Sequence, residues 1–97
     1  MSLFVALMSW TDAGIRSVRK SPERFDAAKA MLEEMGGRVL HLFMTMGPHD
    51  LVVVYETPDD ACAARWSLQL ASMGNVRTLT MKAYPEAAYR EIIGSLA

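Results

Sequence analysis

The sequence predicts an α+β fold: a ferredoxin-like βαββαβ sandwich with an additional C-terminal helix. Four short runs have the apolar and β-branched composition of strands, and two longer segments repeat apolar residues at helical spacing. Glycine- or proline-containing turns separate these segments. Two helical crossovers and one tight hairpin favour a four-stranded antiparallel sheet of order 4-1-3-2, with both long helices on one face.

The first half of the fold begins with a nearly continuous apolar run from Leu3 to Trp10, which indicates a strand buried on both faces. Thr11 or Asp12 is then placed to cap a short helical turn. The segment from Ser21 to Glu23 supplies the N-cap, proline and acid that mark a helix start. That helix is predicted to run to about residue 35, and its apolar stripe is Phe25, Ala28, Leu32 and Met35.

A predicted hairpin occupies residues 38–56. Successive strand residues point to opposite faces, so the run 38–46 separates into an apolar set and a mixed set. The apolar set is Leu40, Leu42, Met44 and Met46, and the mixed set is Val39, His41, Phe43 and Thr45. The turn at 47–50 reads Gly-Pro-His-Asp, and a β-branched strand at 51–56 follows it.

The second half repeats the pattern. Asp59 or Asp60 starts a helix whose predicted buried stripe is Cys62, Trp66, Leu70 and Met73. Residues 76–84 alternate as a fourth strand, and Pro85 opens a C-terminal helix over 86–96. The sequence leaves open whether this last helix folds back onto its own subunit or reaches a neighbour.

Composition and charge narrow the function classes. The 97 residues are 52% apolar, which fits one domain over residues 1–97 with a core that needs no disulfide or structural metal. A formal net charge of -1 gives no field for attracting nucleic acid or an anionic membrane, and no run approaches the length of a membrane span. A lone cysteine, Cys62, and the lack of a basic leader favour a reduced, cytoplasmic compartment.

Both central strands are predicted to be apolar on both faces, whereas helices cover only one face of a single sandwich of this type. Exposed apolar sheet is an association surface, and most small soluble oligomers are symmetric homodimers. We therefore expect a homodimer or a higher homo-oligomer in which sheet packs against sheet.

The chain resembles the GYD-domain family, small bacterial and archaeal proteins named for a Gly-Tyr-Asp motif. The resemblance covers nearly the whole chain. It is carried by WTDAGIRSVRKSPER from Trp10, TMGPHD from Thr45, ETPDD from Glu56 and GNVRTLTMKAY from Gly74. It implies a ferredoxin-like, dimeric α/β-barrel type of fold, and it implies no particular activity. Within the motif Gly47 and Asp50 match, whereas His49 stands where the family usually has tyrosine.

The turn from Gly47 to Asp50 has two interpretations. As a structural turn, glycine tolerates positive φ, proline fixes a φ, and Asp50 bonds nearby backbone. As a site, His49 and Asp50 would stand at the rim of a cavity, where an imidazole titrates near neutral pH and a carboxylate orients it. Neighbouring strand residues point apart, which favours the structural interpretation.

The strands carry the other candidates. His41 shares the mixed face with Phe43 and would line the space between sheets, either as a general base or ligand or as an ordinary interior histidine. On the fourth strand, Thr78, Thr80 and Lys82 are assigned to the open face. There they would hold an anionic small molecule, or only keep an edge strand soluble.

Two functions follow as hypotheses. The first is a cytoplasmic homo-oligomeric domain that binds a small, partly apolar molecule between sheets or acts through assembly. The second is a small cofactor-independent enzyme, monooxygenase- or isomerase-like, by analogy of fold alone. In the second, His49 and His41 would be acid/base groups, and Trp10 and Phe43 would pack the substrate. No nucleophile, metal-binding or cofactor motif is recognisable, so we expect no cofactor and favour the first hypothesis.

Overall fold

The fold is that of a computed structural model, which describes residues 1–97. All four strands run antiparallel to their neighbours in the order β2-β3-β1-β4. This is the predicted order 4-1-3-2 read from the other edge, and the predicted fold class is confirmed. The elements are β1 Ser2–Trp10, α1 Asp12–Arg16, a 3₁₀ turn Val18–Lys20, α2 Ser21–Glu34, β2 Arg38–Met44, β3 Leu51–Thr57, α3 Asp60–Ser72, β4 Val76–Ala83 and α4 Glu86–Gly94.

Side-chain caps determine where two of the helices begin. Thr11 accepts a hydrogen bond from a first-turn backbone amide at 3.1 Å and starts α1. Asp59 does the same for α3 at 2.8 Å. The predicted capping of α2 by Ser21 is wrong, because the 3₁₀ turn continues directly into that helix. Ser21 is therefore its first residue, and the Ser21 hydroxyl accepts a hydrogen bond from the Trp10 indole instead.

The core lies between the sheet and helices α2 and α3. Tyr55 stacks on Phe4 with ring centroids 5.4 Å apart, and it meets Trp66 edge-on at 4.6 Å. The Trp66 indole donates to a backbone carbonyl of α2 at 2.9 Å, which joins the two helices. The predicted stripes of both helices are buried except at their last members. Met35 is only half-buried and Met73 is exposed, because each forms the C-terminal cap of its helix.

A β-bulge in β2 changes which residues share a face. The register shifts by one residue between Val39 and His41, which makes Leu40 the extra residue. Val39 consequently faces the helices and packs against the core, on the same side as Leu42 and Met44. The predicted grouping of Val39 with His41 is therefore wrong, whereas the alternation beyond the bulge is correct.

The C-terminal helix, α4, stands away from the rest of the fold. None of its residues is buried, and it makes no extended contact with another element. The Cα radius of gyration is 14.6 Å, against about 12.5 Å for a compact chain of this length. The accessible surface of 6480 Å² likewise exceeds the about 5,500 Å² of a compact monomer of this mass. The chain leaves more surface uncovered than a self-contained domain of its size.

Candidate functional site

The sheet face opposite the helices is uncovered, and we call it the open face. Cross-strand pairing arranges its side chains in rows, and the two central rows are apolar except for one histidine. The open face comprises the central rows His41, Val54, Val5, Met81 and Phe43, Val52, Leu7, Leu79, with Arg38, Glu56, Leu3 and Ala83 below and Ser9 and Arg77 above. The central strands β1 and β3 are thus apolar on both faces, as predicted.

The charged side chains of the open face lie at two diagonally opposite corners. Arg38 and Glu56 form an ion pair of 2.7 Å at one corner, and Arg77 pairs with Ser9 at the other. Between the corners, apolar side chains are strongly exposed: Phe43 by 56%, Leu79 by 55% and Met81 by 44%. An apolar centre with a polar periphery is the usual anatomy of a protein–protein interface.

His41 lies on the open face, as predicted, and is exposed. Its ring stacks on that of Phe43, with centroids 6.0 Å apart and planes inclined by 14°. Its partner across the ladder is Val54, and Glu56 is the one acid on this face. A general base needs a group that orients it, and the Glu56 carboxylate is engaged by Arg38 instead.

The turn at residues 47–50 is anchored through Asp50. The Asp50 carboxylate accepts the Trp10 backbone amide at 2.9 Å, and the Asp50 amide donates to the Met8 carbonyl at 2.9 Å. The Asp50 carbonyl in turn accepts the Thr45 amide at 2.8 Å. Gly47 has a φ of 133°, a conformation that favours glycine. These are the contacts of a structural turn that closes the hairpin onto the end of β1.

His49 is not joined to Asp50 by a side-chain hydrogen bond. Its carbonyl accepts the Thr45 hydroxyl at 2.6 Å, a contact that any residue type would provide. Its ring nitrogen Nδ1 is buried without a hydrogen-bond partner, and the Asp50 carboxylate is engaged by the backbone of β1. The arrangement does not give the imidazole an orienting carboxylate.

Trp10 and Phe43, predicted to pack one substrate, lie on opposite faces of the sheet. The Trp10 indole N–H donates to Ser21 on α2 at 3.3 Å. Trp10 also lines a small, mainly apolar cleft of about 50 Å³ between the sheet and the two long helices. The expected shared pocket is wrong, because the continuous apolar run of β1 does not reveal which residues face the helices.

Thr78, Thr80 and Lys82 do come together, but on the helix side of β4 and not on the open face as predicted. Thr78 and Thr80 line a groove of about 450 Å³ between β4 and α3, which we call the polar groove. Its rim includes an ion pair in which Lys82 Nζ lies 3.0 Å from both carboxylate oxygens of Asp60. The groove is lined by Phe4, Asp60, Ala63, Ala64, Ser67, Leu68, Thr78 and Thr80.

A family model described as GYD domain matches residues 4–93, which span nearly every element of the fold. The chain belongs to the GYD-domain family. This GYD-domain protein is similar to a protein of Thermus thermophilus described as "Glutamine synthetase and cystathionine beta-lyase binding protein". The two are 41% identical over 88 residues, which cover 90% of this chain and 93% of the relative. No solved structure matches the chain.

The sequence analysis of this GYD-domain protein does not predict three polar residues in or beside the polar groove: Asp60, Ser67 and Tyr55. Ser67 Oγ lies 3.4 Å from Thr80 Oγ1 across the polar groove. Burial raises the pKa of Tyr55, and the neighbouring hydroxyls of Ser67 and Thr80 lower it in part. No hydrogen bond of good geometry joins Tyr55 to either. Helix–strand packing alone brings these residues together, so no spacing in the sequence marks them.

The structure contains neither a candidate metal site nor a candidate membrane-spanning helix. No three histidine, cysteine or acidic side chains lie close enough together to hold a metal ion. None of the helices has the length and apolar character needed to cross a membrane.

Proposed function

We propose that this GYD-domain protein is a cytoplasmic binding protein that acts without catalysis, as a homodimer formed through the open face. The observation that carries the proposal is the apolar centre of that face, where His41 is the only polar side chain in the two central rows. Exposed apolar surface of this kind drives association. A second copy is the occupant because it offers the same continuous apolar surface and closes with two-fold symmetry.

The corner charges favour such a self-complementary contact. Consider a two-fold axis in the plane of the open face, along the diagonal that joins its two uncharged corners. This axis keeps the two Arg77 side chains apart and brings each towards the partner's Arg38–Glu56 ion pair, whose charges cancel, while the apolar rows meet at the centre. Charges at the rim determine orientation more than affinity, so this arrangement selects one docking geometry.

The helix α4 supplies a separate surface for a different protein. Its apolar residues Tyr89, Ile92 and Ile93 lie at helical spacing and are all exposed. An amphipathic helix of this kind inserts its apolar side into a groove of a partner protein. Because the relative is named for binding glutamine synthetase and cystathionine β-lyase, we propose that α4 binds a metabolic enzyme, with these two as first candidates.

Binding of purified glutamine synthetase and cystathionine β-lyase to the immobilised chain tests the proposal by biolayer interferometry. We expect at least one enzyme to bind, and Ile93→Glu on α4 to weaken that binding about tenfold or more, because a charge then enters an apolar contact. Ile15→Glu is the matched control, since Ile15 is equally exposed but lies on α1.

Two outcomes of this experiment would contradict the proposal. If neither enzyme bound, the proposal that they are partners of this protein would be wrong. Binding that Ile93→Glu leaves unchanged would show that α4 is not the contact surface.

The enzyme alternative has no specific observation in its favour. Neither His41 nor His49 has a side-chain partner that would orient it, and the two proposed substrate-packing residues lie on opposite faces. Binding of a small apolar molecule between the two sheets stays a prediction, and it depends on the dimer.

A further inference from the structure

The polar groove between α3 and β4 is left free by the proposed dimer, since it lies on the helix side of the sheet. We propose that this groove binds a free α-amino acid as a zwitterion, through both its ammonium and its carboxylate groups. The site would therefore give the protein a small-molecule ligand in addition to its protein partners.

The ion pair at the rim selects the class of ligand. Lys82 and Asp60 are paired at 3.0 Å, so the rim carries both charges and no net charge. A simple anion that approaches Lys82 meets the Asp60 carboxylate, and a simple cation that approaches Asp60 meets the Lys82 ammonium. A zwitterion avoids both repulsions, because its carboxylate pairs with Lys82 while its ammonium pairs with Asp60.

The ion pair is also easily opened. The side chains of Lys82 and Asp60 are 44% and 62% exposed, and an exposed pair of this kind contributes little to stability. A ligand that inserts between the two groups exchanges one weak ion pair for two charge-assisted contacts.

Hydroxyl groups line the groove behind the ion pair. Ser67 and Thr80 face each other at 3.4 Å, and Thr78 lies two residues along the same strand. The Tyr55 hydroxyl lies beside this pair, fully buried and without a partner. Each of these hydroxyls has one hydrogen to donate, and the contact between Ser67 and Thr80 uses at most one of them. The groove thus offers donors to a ligand carboxylate.

The size of the groove fits a ligand of this class. It is open to solvent, and its volume of about 450 Å³ has room for a ligand of this size. Ala63 and Ala64 form part of the helical wall with short side chains, which leaves room for the side chain of an amino acid.

Isothermal titration calorimetry with the common L-amino acids, up to about 10 mM, tests the proposal. We expect at least one to bind, and both its N-acetyl and its carboxamide derivative to bind about tenfold more weakly or worse, because each lacks one charge. Asp60→Asn and Lys82→Met should each weaken binding of the free amino acid to a similar extent. Both residues are exposed, so circular dichroism should show folded variants.

Asp26→Asn is the matched control, because it removes an exposed ion pair with Lys29 on α2, outside the groove. It should leave amino-acid binding unchanged. Three results would overturn the proposal: no L-amino acid binds, the N-acetyl derivative binds as tightly as the free amino acid, or Asp60→Asn and Lys82→Met bind like the unaltered chain. Monomeric and dimeric protein should bind alike, so failure here is distinguishable from failure of the dimer.

Discussion

Tyr55 combines complete burial with an unpartnered hydroxyl. Burial raises its pKa above the value of an unfolded tyrosine, which titrates near about pH 10. The folded state therefore holds this proton more tightly than the unfolded state. Ionisation of Tyr55 therefore leaves the free energy of unfolding unchanged below about pH 10 and lowers it as the pH rises from there through the folded pKa.

We predict that Tyr55→Phe changes the free energy of unfolding at neutral pH by between zero and about 1 kcal/mol in the stabilising direction. The reason is that an unpartnered buried hydroxyl costs free energy which phenylalanine avoids. The variant should also lose less stability above about pH 10. Urea unfolding at both pH values measures this, with Tyr89→Phe on the exposed face of α4 as control. Destabilisation by more than about 2 kcal/mol would contradict an unpartnered hydroxyl.

Asp50 and His49 are neighbours in the turn, but we expect them to contribute differently to the stability of the fold. Asp50→Ala should lower the free energy of unfolding by about 1–3 kcal/mol, because the Trp10 amide loses a charged acceptor. His49→Tyr, which restores the residue usual in the family, should change it by less than about 0.5 kcal/mol. Chemical denaturation of both variants compares them directly. A larger effect at His49 than at Asp50 would show that the imidazole has a role which the turn alone does not explain.

Residue-level patterns in the sequence grouped three side chains of the polar groove and its rim correctly, but assigned them to the wrong face of the sheet. Thr78, Thr80 and Lys82 alternate along one strand, so they must share a face. The other half of the groove depends on how α3 lies beside β4, which brings Asp60 and Ser67 opposite them. Such contacts between distant segments have no signature at fixed spacing, and the groove could not be predicted as a unit.

At the scale of elements, the sequence predicted which helices and strands form and in what order. It predicted less well which side chains of a strand face the helices. Alternation in β4 defines two sets, but the more apolar set, which includes Leu79 and Met81, faces away from the helices. The usual assumption that the apolar face meets the core fails, because β4 lies at the edge of the sheet, where its helix side borders a groove. In β2, the bulge at Leu40 shifts the parity without any glycine or proline to mark it.

The short helix α1 is docked against the loop before β4. The Thr11 amide donates to the Asn75 carbonyl at 3.1 Å, and the Thr11 hydroxyl donates to the Gly74 carbonyl at 2.5 Å. Gly14 is buried at this contact, and a methyl group there would overlap the Asn75 carbonyl oxygen. The glycine therefore allows the close approach of two backbones.

We predict that Gly14→Ala lowers the free energy of unfolding by about 2 kcal/mol or more, since backbone has to move to remove the overlap. Gly94→Ala is the matched control, because a methyl group at that position contacts nothing. Thermal unfolding should show a clear decrease in Tm for the first variant and little change for the second. Equal Tm values would contradict the close packing of α1 on the loop.

At the scale of the whole molecule, the open face lies on one side of the sheet and the polar groove on the other. Dimerisation through the open face would therefore leave the groove accessible. None of the residues of α4 is buried by the rest of the chain. The chain also has more exposed surface than a compact monomer of its mass requires, as expected of a protomer that is completed by assembly.

Light scattering after size exclusion at micromolar concentration shows whether the chain forms a homodimer. We predict the mass of two chains of 10.8 kDa each for the unaltered protein. Leu79→Glu should yield a folded monomer, because it places a charge in the apolar centre of the open face, whereas Ile15→Glu should remain a dimer. A monomeric mass for the unaltered chain, or a dimer that Leu79→Glu leaves intact, would contradict the account.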